Sequence, residues 1–241
     1  MPARRRPLVM LGAAVALAAV LVLVLVLVSS GGGDGGGSGS SSSTSGASGG
    51  GAVAGRAEAL ALFTGVPQNG TAVGSPRAPV TVYEFADLQC PFCRDVALQT
   101  LPDAIRKQVR TRQVRIVYQD LAFLGPDSVK AAHAAAAAGN QDRLWQFVHL
   151  MYANQGEENS GWVTDALLER IWSAIPGLDV ARAKRDAAAG AGAADLALAR
   201  NLARRYGIDG TPSFMAGRTG GKLEPVDAAD LNDQIDSLVG G

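Results

Sequence analysis

The chain opens with a polar stub, Met1 to Pro7, and then runs without a charge from Leu8 to Val28. As a helix this run would measure about 31 Å, the thickness of a bilayer's hydrocarbon core. Arg4, Arg5 and Arg6 precede it, and positive charge of that kind keeps its own end cytoplasmic. The pattern predicts a cytoplasmic stub and membrane-spanning signal-anchor helix over residues 1–28, with the rest of the chain outside the cytoplasm. A cleaved signal peptide is the rival reading, but its apolar region is shorter and its small-residue cleavage site lies closer than Ala52-Val53-Ala54. Residues 29–55 are Gly/Ser-rich and predict a disordered tether with a root-mean-square reach of about 30 Å.

From Arg56 the pattern is that of a folded domain. A short helix, Arg56–Phe63, leads to a turn-rich passage, Gly65–Gly70. Ala78–Phe85 is apolar and β-branched with little alternation, as expected of a strand covered on both faces. After Pro91 the apolar positions Val96, Ala97, Leu101, Ala104 and Ile105 recur at helical spacing. Pro102 is expected to kink or restart that helix. Val114–Tyr118 is the next strand, and the three elements form a right-handed βαβ unit.

A long helical stretch covers about 126–206. It holds the Ala-rich segment 131–138, an amphipathic face of Leu144, Phe147, Val148 and Met151, and N-cap residues Thr164 and Asp179. Its last helix runs from Asp195 to Tyr206 and stops at Gly207. Gly210-Thr-Pro-Ser-Phe-Met215 follows, then a strand at Lys222–Pro225. Asp227 is placed as the cap of a terminal helix carrying Ala229, Leu231, Ile235 and Leu238. The order βαβ, helical block, ββα is an α/β arrangement over residues 56–241.

Charge narrows the functional classes. Lys and Arg total 22 and Asp and Glu total 22, so the chain is formally neutral. Residues 1–55 hold three Arg and one Asp, which leaves 19 basic and 21 acidic residues beyond them, a net −2. There is no basic stripe with interleaved aromatics, and nucleic acid is not an expected partner.

Only two cysteines occur, and they form Cys90-Pro91-Phe92-Cys93. A pair this close suits three roles: half of a metal site, an inert bridge, or a redox dithiol. A structural metal needs about four ligands, and His133 and His149 lie far along the chain on helices. A bridge closing so short a loop stabilises little. The context favours redox chemistry, because Cys90 ends a strand and opens a helix. There its sulfur meets unpaired backbone N–H groups and the positive end of the helix dipole, which favour thiolate. Pro91 suits the first helical turn. Cys93, one turn on, can resolve a mixed disulfide formed at Cys90. No metal or other cofactor is called for.

Pro212, in Gly210-Thr211-Pro212-Ser213, reads locally as an ordinary trans turn. The upstream βαβ-CxxC unit instead makes it a candidate cis-proline beside the dithiol. His133, His149, Trp145, Trp162 and Trp172 fall at helical spacing and read as packing residues.

The passage Ala78-Pro-Val-Thr-Val-Tyr-Glu-Phe-Ala-Asp-Leu-Gln-Cys-Pro-Phe-Cys93, with Gly210-Thr-Pro-Ser-Phe214 downstream, resembles the DsbA-like thioredoxin-fold family, in particular its membrane-anchored forms. The resemblance spans about residues 56–240. It implies a thioredoxin-like fold with a helical insertion between the βαβ and ββα halves. Cys90 then matches an exposed nucleophile, Cys93 a buried resolving cysteine, and Pro212 a cis-proline. Thr211 matches a residue whose backbone pairs with a substrate strand, beside Pro91 and Phe92 on the substrate face. Glu84 matches a buried acid that exchanges protons with Cys93. On its residues alone Glu84 is either such an acid, with a raised pKa, or a solvated edge residue. Asp87 reads as a polar loop residue at the start of the helix.

The family reading is an extracytoplasmic thiol–disulfide oxidoreductase, an oxidase that passes its disulfide to exported proteins. It implies a membrane redox partner of DsbB or VKOR type. Phe92 stands where many strong oxidases of the family carry His, which keeps reductase or isomerase open as alternatives. A non-catalytic thioredoxin-fold binding module is the reading from a different class.

Overall fold

The computed structural model describes residues 52–241. The apolar run Leu8–Val28 and the tether up to residue 51 lie outside the described residues. Among those described, no helix is long and apolar enough to cross a membrane.

Ordered contacts begin ahead of the expected boundary at Arg56. Ala54 donates to and accepts from the Asn154 side chain, both at 3.1 Å. Helix α1, Arg56–Phe63, follows and buries Ala59, Leu62 and Phe63. The passage expected to be turn only contains a small hairpin, β1 Gln68–Asn69 and β2 Ala72–Val73. Strands of two residues carry no measurable periodicity, so the pairing of β2 with the sheet edge is a tertiary result.

Strand β3, Val80–Ala86, lies near the middle of a six-stranded sheet of order β1-β2-β4-β3-β5-β6. Strand β4, Val114–Asp120, pairs with it in parallel, Glu84 opposite Tyr118. Strand β5, Ser213–Arg218, pairs with it antiparallel, Glu84 opposite Phe214. Strand β6, Glu224–Val226, closes the far edge, two residues beyond the expected start at Lys222. Both faces of β3 are covered, which explains its near-continuous apolar sequence.

The helix joining β3 to β4 is one path of changing pitch. It runs through α2 (Pro91–Asp95), a π turn (Val96–Thr100), α3 (Leu101–Ala104) and a second π turn (Ile105–Val109). Leu101 N–H donates to Val96 O, five residues back, just before Pro102. The wider pitch resets the register where Pro102 supplies no N–H, so the expected interruption becomes a π turn.

The helical block consists of α4 (Pro126–Gly139), α5 (Leu144–Ala153), α6 (Asp165–Ser173), α7 (Val180–Ala188) and α8 (Ala193–Tyr206). Thr164 Oγ1 accepts from Leu167 N–H at 3.2 Å and Asp179 Oδ1 from Arg182 N–H at 2.9 Å, both as N-caps. Ala131, Ala134, Ala135 and Ala138 are buried and let α4 pack closely on α5 and α7. The terminal helix α9, Leu231–Gly240, starts later than expected. Asp227 does not cap it: its Oδ1 accepts from Ala229 N–H at 2.9 Å, inside the preceding turn.

Two layers of helix sandwich the sheet. On one face Val82, Ile116 and Phe214 meet Leu101, Ile105, Leu150 and Ile235. On the other Phe85, Leu121 and Met215 meet Ala199 and Ala203 of α8. Each fully buried Leu, Ile or Phe contributes about 1.5–3 kcal/mol. A carboxyl at Glu84 on the first face is therefore a deliberate exception to the pattern. The result is a thioredoxin-like α/β fold with helices inserted between its halves.

Candidate active site

Cys90 sits at the junction of β3 and α2. Its backbone is extended, φ −69° and ψ 121°, and Pro91 takes the first helical position. Cys93 N–H donates to Cys90 Sγ at 3.3 Å. The Cys90 thiol donates to Thr211 O at 3.4 Å, across the groove from the loop that precedes β5. The Thr211–Pro212 peptide bond is cis. Cys90, Pro91, Phe92, Thr211 and Pro212 thus share one rim, with Cys93 beneath it, although Thr211 lies 121 positions from Cys90 in the chain.

The two sulfurs are chemically unlike. A hydrogen bond from Cys93 first, then Thr211 and the N–H groups of Cys93 and Phe92, brings the Cys90 thiol down to about 6 against the effect of burial. Cys93 moves the opposite way, because burial and the adjacent Cys90 sulfur both disfavour its thiolate. Cys90 is less open than the family resemblance implies, with 4 % of its surface exposed. The Thr211–Pro212 loop covers its sulfur, and Phe92, 69 % exposed, forms the accessible part of the rim.

Glu84 lies on the face of β3 that looks toward Ala97, Leu101 and α5, and it is 1 % exposed. The solvated-edge alternative therefore does not apply. Burial pushes its carboxyl up to about 8, and neither oxygen has a hydrogen-bond partner. Tyr118, its neighbour across the β3–β4 ladder, meets Tyr152 hydroxyl to hydroxyl at 3.2 Å. Cys93 and Glu84 both act on the two phenols by charge.

Sequence reasoning missed a polar network that holds this junction. Asp87, read as a loop residue, is fully buried. Its Oδ1 accepts from Gln89 N–H at 2.8 Å and Ser128 Oγ at 2.6 Å. Its Oδ2 accepts from the N–H groups of Phe123 at 2.8 Å and Leu124 at 3.1 Å. The Gln89 amide donates to Ser128 Oγ and Asn159 Oδ1 and accepts from Asn159 N–H at 2.7 Å. Gln155 donates to the carbonyls of Leu88 and Cys90 at 2.9 and 3.1 Å, and the Tyr152 hydroxyl to that of Asp87 at 3.2 Å. Gly125 allows Asn159 this approach, since a Cβ there would collide with Asn159 Oδ1. One signal was available: Asp87 and Gln89 are polar residues inside the otherwise apolar run Phe85–Cys90, and buried polar groups need partners.

Among the described residues no group of three or more His, Cys, Asp or Glu side chains could hold a metal. The Trp145 and Trp172 indoles are buried and donate to Thr71 O and Ala134 O, both at 3.2 Å. His133 pairs with Ala191 O at 2.7 Å.

The family profile described as Thioredoxin matches residues 67–237. A probable disulfide bond formation protein D of Bacillus cereus is 33 % identical over 117 residues, 47 % of this chain and 54 % of that protein. The chain spans about half the length of the curated relatives it matches first. Oxidised BdbD from Bacillus subtilis superposes with a TM-score of 0.62 at 22 % identity, over 73 % of this chain and 98 % of that one. A thioredoxin-like oxidoreductase from Silicibacter pomeroyi superposes with a TM-score of 0.56 at 30 % identity, over 76 % and 98 %.

Proposed function

The chain belongs to the thioredoxin family, in the DsbA-like form with a helical insertion, and from that premise we propose that it is a thiol–disulfide oxidoreductase that donates its Cys90–Cys93 disulfide to exported proteins. The observation that carries this reading is the asymmetry of the two sulfurs beneath the cis Thr211–Pro212 peptide. A lowered Cys90 thiol is a good leaving and attacking group, and a raised Cys93 thiol stays protonated until it is needed.

In this reading a substrate thiolate attacks Cys90 Sγ, and the S–S bond to Cys93 breaks. Cys93 takes a proton from Glu84. A second substrate thiolate then attacks the mixed disulfide and displaces Cys90 as a thiolate. The backbone of Thr211 pairs with the substrate strand while Pro212 keeps that strand against the sulfur. Pro91 and Phe92 supply the apolar contact surface. No cofactor is needed, because electrons pass from sulfur to sulfur.

The apolar run led by Arg4, Arg5 and Arg6 supports a single-pass anchor with the catalytic domain extracytoplasmic on its Gly/Ser tether. The returning electrons then go to a membrane partner of DsbB or VKOR type. Phe92 between the cysteines favours a second reading, reductase or isomerase at the same location, since a His there would stabilise the thiolate further.

Equilibration with glutathione decides between them. A reduction potential well above thioredoxin's, about −270 mV, is expected, and a value near or below it reverses the direction. In the same experiment Cys90 should alkylate half-maximally near pH 6, with Cys93 protected. Labelling of both thiols only at alkaline pH, together with retained function in Cys90→Ser and Cys93→Ser, would reduce the protein to a binding module.

A further inference from the structure

On the face of the sheet that carries Glu84 lies a small cavity of about 10 Å³, lined by Glu84, His149 and apolar side chains that include Phe63, Ala97, Leu101 and Val148. Glu84 Oε1 and Oε2 and His149 Nε2 are all buried without a hydrogen-bond partner. Their residues are 1 % and 3 % exposed. Leaving such groups dry costs about 1–3 kcal/mol each. The volume is near the minimum for one water, which would serve the acid and the imidazole together.

His149 packs between this cavity and the chain at the start of α1. Its ring meets Phe63 edge-on, with centroids 6.1 Å apart, and lies against Gly55. Glu58 of α1 and Arg106 of the second π turn act on it by charge, and these two pair with each other at 3.5 Å on the surface. Around Glu84 the titratable groups are Tyr118 of β4, Tyr152 of α5 and Cys93 of α2. Burial holds the imidazole below its ordinary value, so it is neutral near pH 7 and able to take up and release a proton.

The chemistry needs such a route. Each cycle changes the protonation of Cys93, which is fully buried. Glu84 can supply one proton, but its carboxylate is then stranded in an apolar strand. A substrate bound over Cys90, Thr211 and Pro212 closes the front of the site at that moment. We propose that Glu84, a water in this cavity and His149 form a proton relay that joins Cys93 to solvent beside Glu58 and Arg106 while a substrate covers the dithiol. This rests on the exchange reading above. As the Cys90–Cys93 bond breaks, its electron pair stays on Cys93 Sγ, which takes the Glu84 proton. The water gives a proton to the carboxylate and receives one from the inner ring nitrogen of His149, while the outer ring nitrogen takes one from solvent. One proton enters, and no charge remains on the path. Reoxidation runs it in reverse.

The test uses the full chain with His149→Phe, which keeps a ring against Phe63, and His149→Gln. Two quantities are measured between pH 6 and 8: release of Cys93 by a saturating single-thiol peptide in H2O and D2O, and exchange of the Glu84 carboxyl proton with D2O, followed by its infrared C=O band. His149→Phe should slow both by roughly tenfold or more, with a changed pH profile, and leave Cys90 alkylation as it was. In a Glu84→Gln background it should slow Cys93 release no further. Unchanged exchange and release overturn the relay, as does equal slowing with Glu84 removed. If the unaltered protein forms no mixed disulfide, the exchange reading fails, while the infrared measurement still decides the relay. Should His149→Phe not fold, His149→Gln is measured in its place, with the same slowing expected and the same unchanged rates overturning the relay.

Discussion

At the scale of single residues the site works by opposed shifts. Cys90 and Cys93 are three positions apart, yet one is drawn toward thiolate and the other away from it. Hydrogen bonds dominate at the first, and burial dominates at the second. Glu84 belongs with the second. Its carboxyl rises from 4.5 to about 8 through burial, so the folded chain binds its proton more tightly than the unfolded chain. That contribution to stability is full below about pH 4.5 and is lost as pH rises through about 8. The loss is at most about 3–5 kcal/mol. Glu84→Gln should abolish most of it. Urea unfolding of the oxidised protein, in which neither thiol titrates, is the measurement. Parallel pH dependence of the two proteins would show that Glu84 is not held protonated.

At the scale of elements the decisive feature is the end of β3. The chain leaves the sheet at Ala86 and enters α2 at Pro91, and Asp87 and Gln89 of the intervening segment tie it to Phe123 and Leu124 of the β4–α4 loop, to Ser128 in the first turn of α4 and to Asn159 of the α5–α6 loop. Asp87 alone accepts four hydrogen bonds. Asp87→Ala strands these donors and should destabilise the domain by about 3–5 kcal/mol, with Asp87→Asn intermediate. Denaturation midpoints at constant slope check this, and a loss below about 1 kcal/mol would mean that the network does not hold the junction. The rule that buried polar groups need partners marks Asp87 in the sequence, but only the fold says where those partners are. Pro102 is a similar case. Its missing N–H was legible, while the π pitch that absorbs it depends on the sheet beneath.

At the scale of the whole molecule the redox couple and the fold are linked. A Cys90 pKa depressed from 9.0 to about 6 stabilises the reduced folded state above about pH 6, and that stabilisation is lost as pH falls through 6. The stability of the reduced protein relative to the oxidised one should therefore rise by about 1 kcal/mol between pH 5 and pH 7, or about 2–4 °C in Tm. Calorimetry of both forms reads this directly, and a difference independent of pH would contradict the lowered thiol. Much of this molecule was fixed by local pattern. The unalternating run of β3, the helical spacing after Pro91, the Thr164 and Asp179 caps and the pairing of Cys90 with Cys93 are short-range features, so they could be read along the chain. The family motif also carried Pro212 and Glu84. What remained invisible depends on residues far apart in sequence: the β1–β2 hairpin on the sheet edge, the cover that Thr211 places over Cys90, the four donors around Asp87, and the cavity shared by Glu84 and His149. Spacing alone made His149 a packing residue. Its distinction arises because α5 turns it toward an acid on β3, and no local pattern encodes which polar atoms a core leaves unpaired.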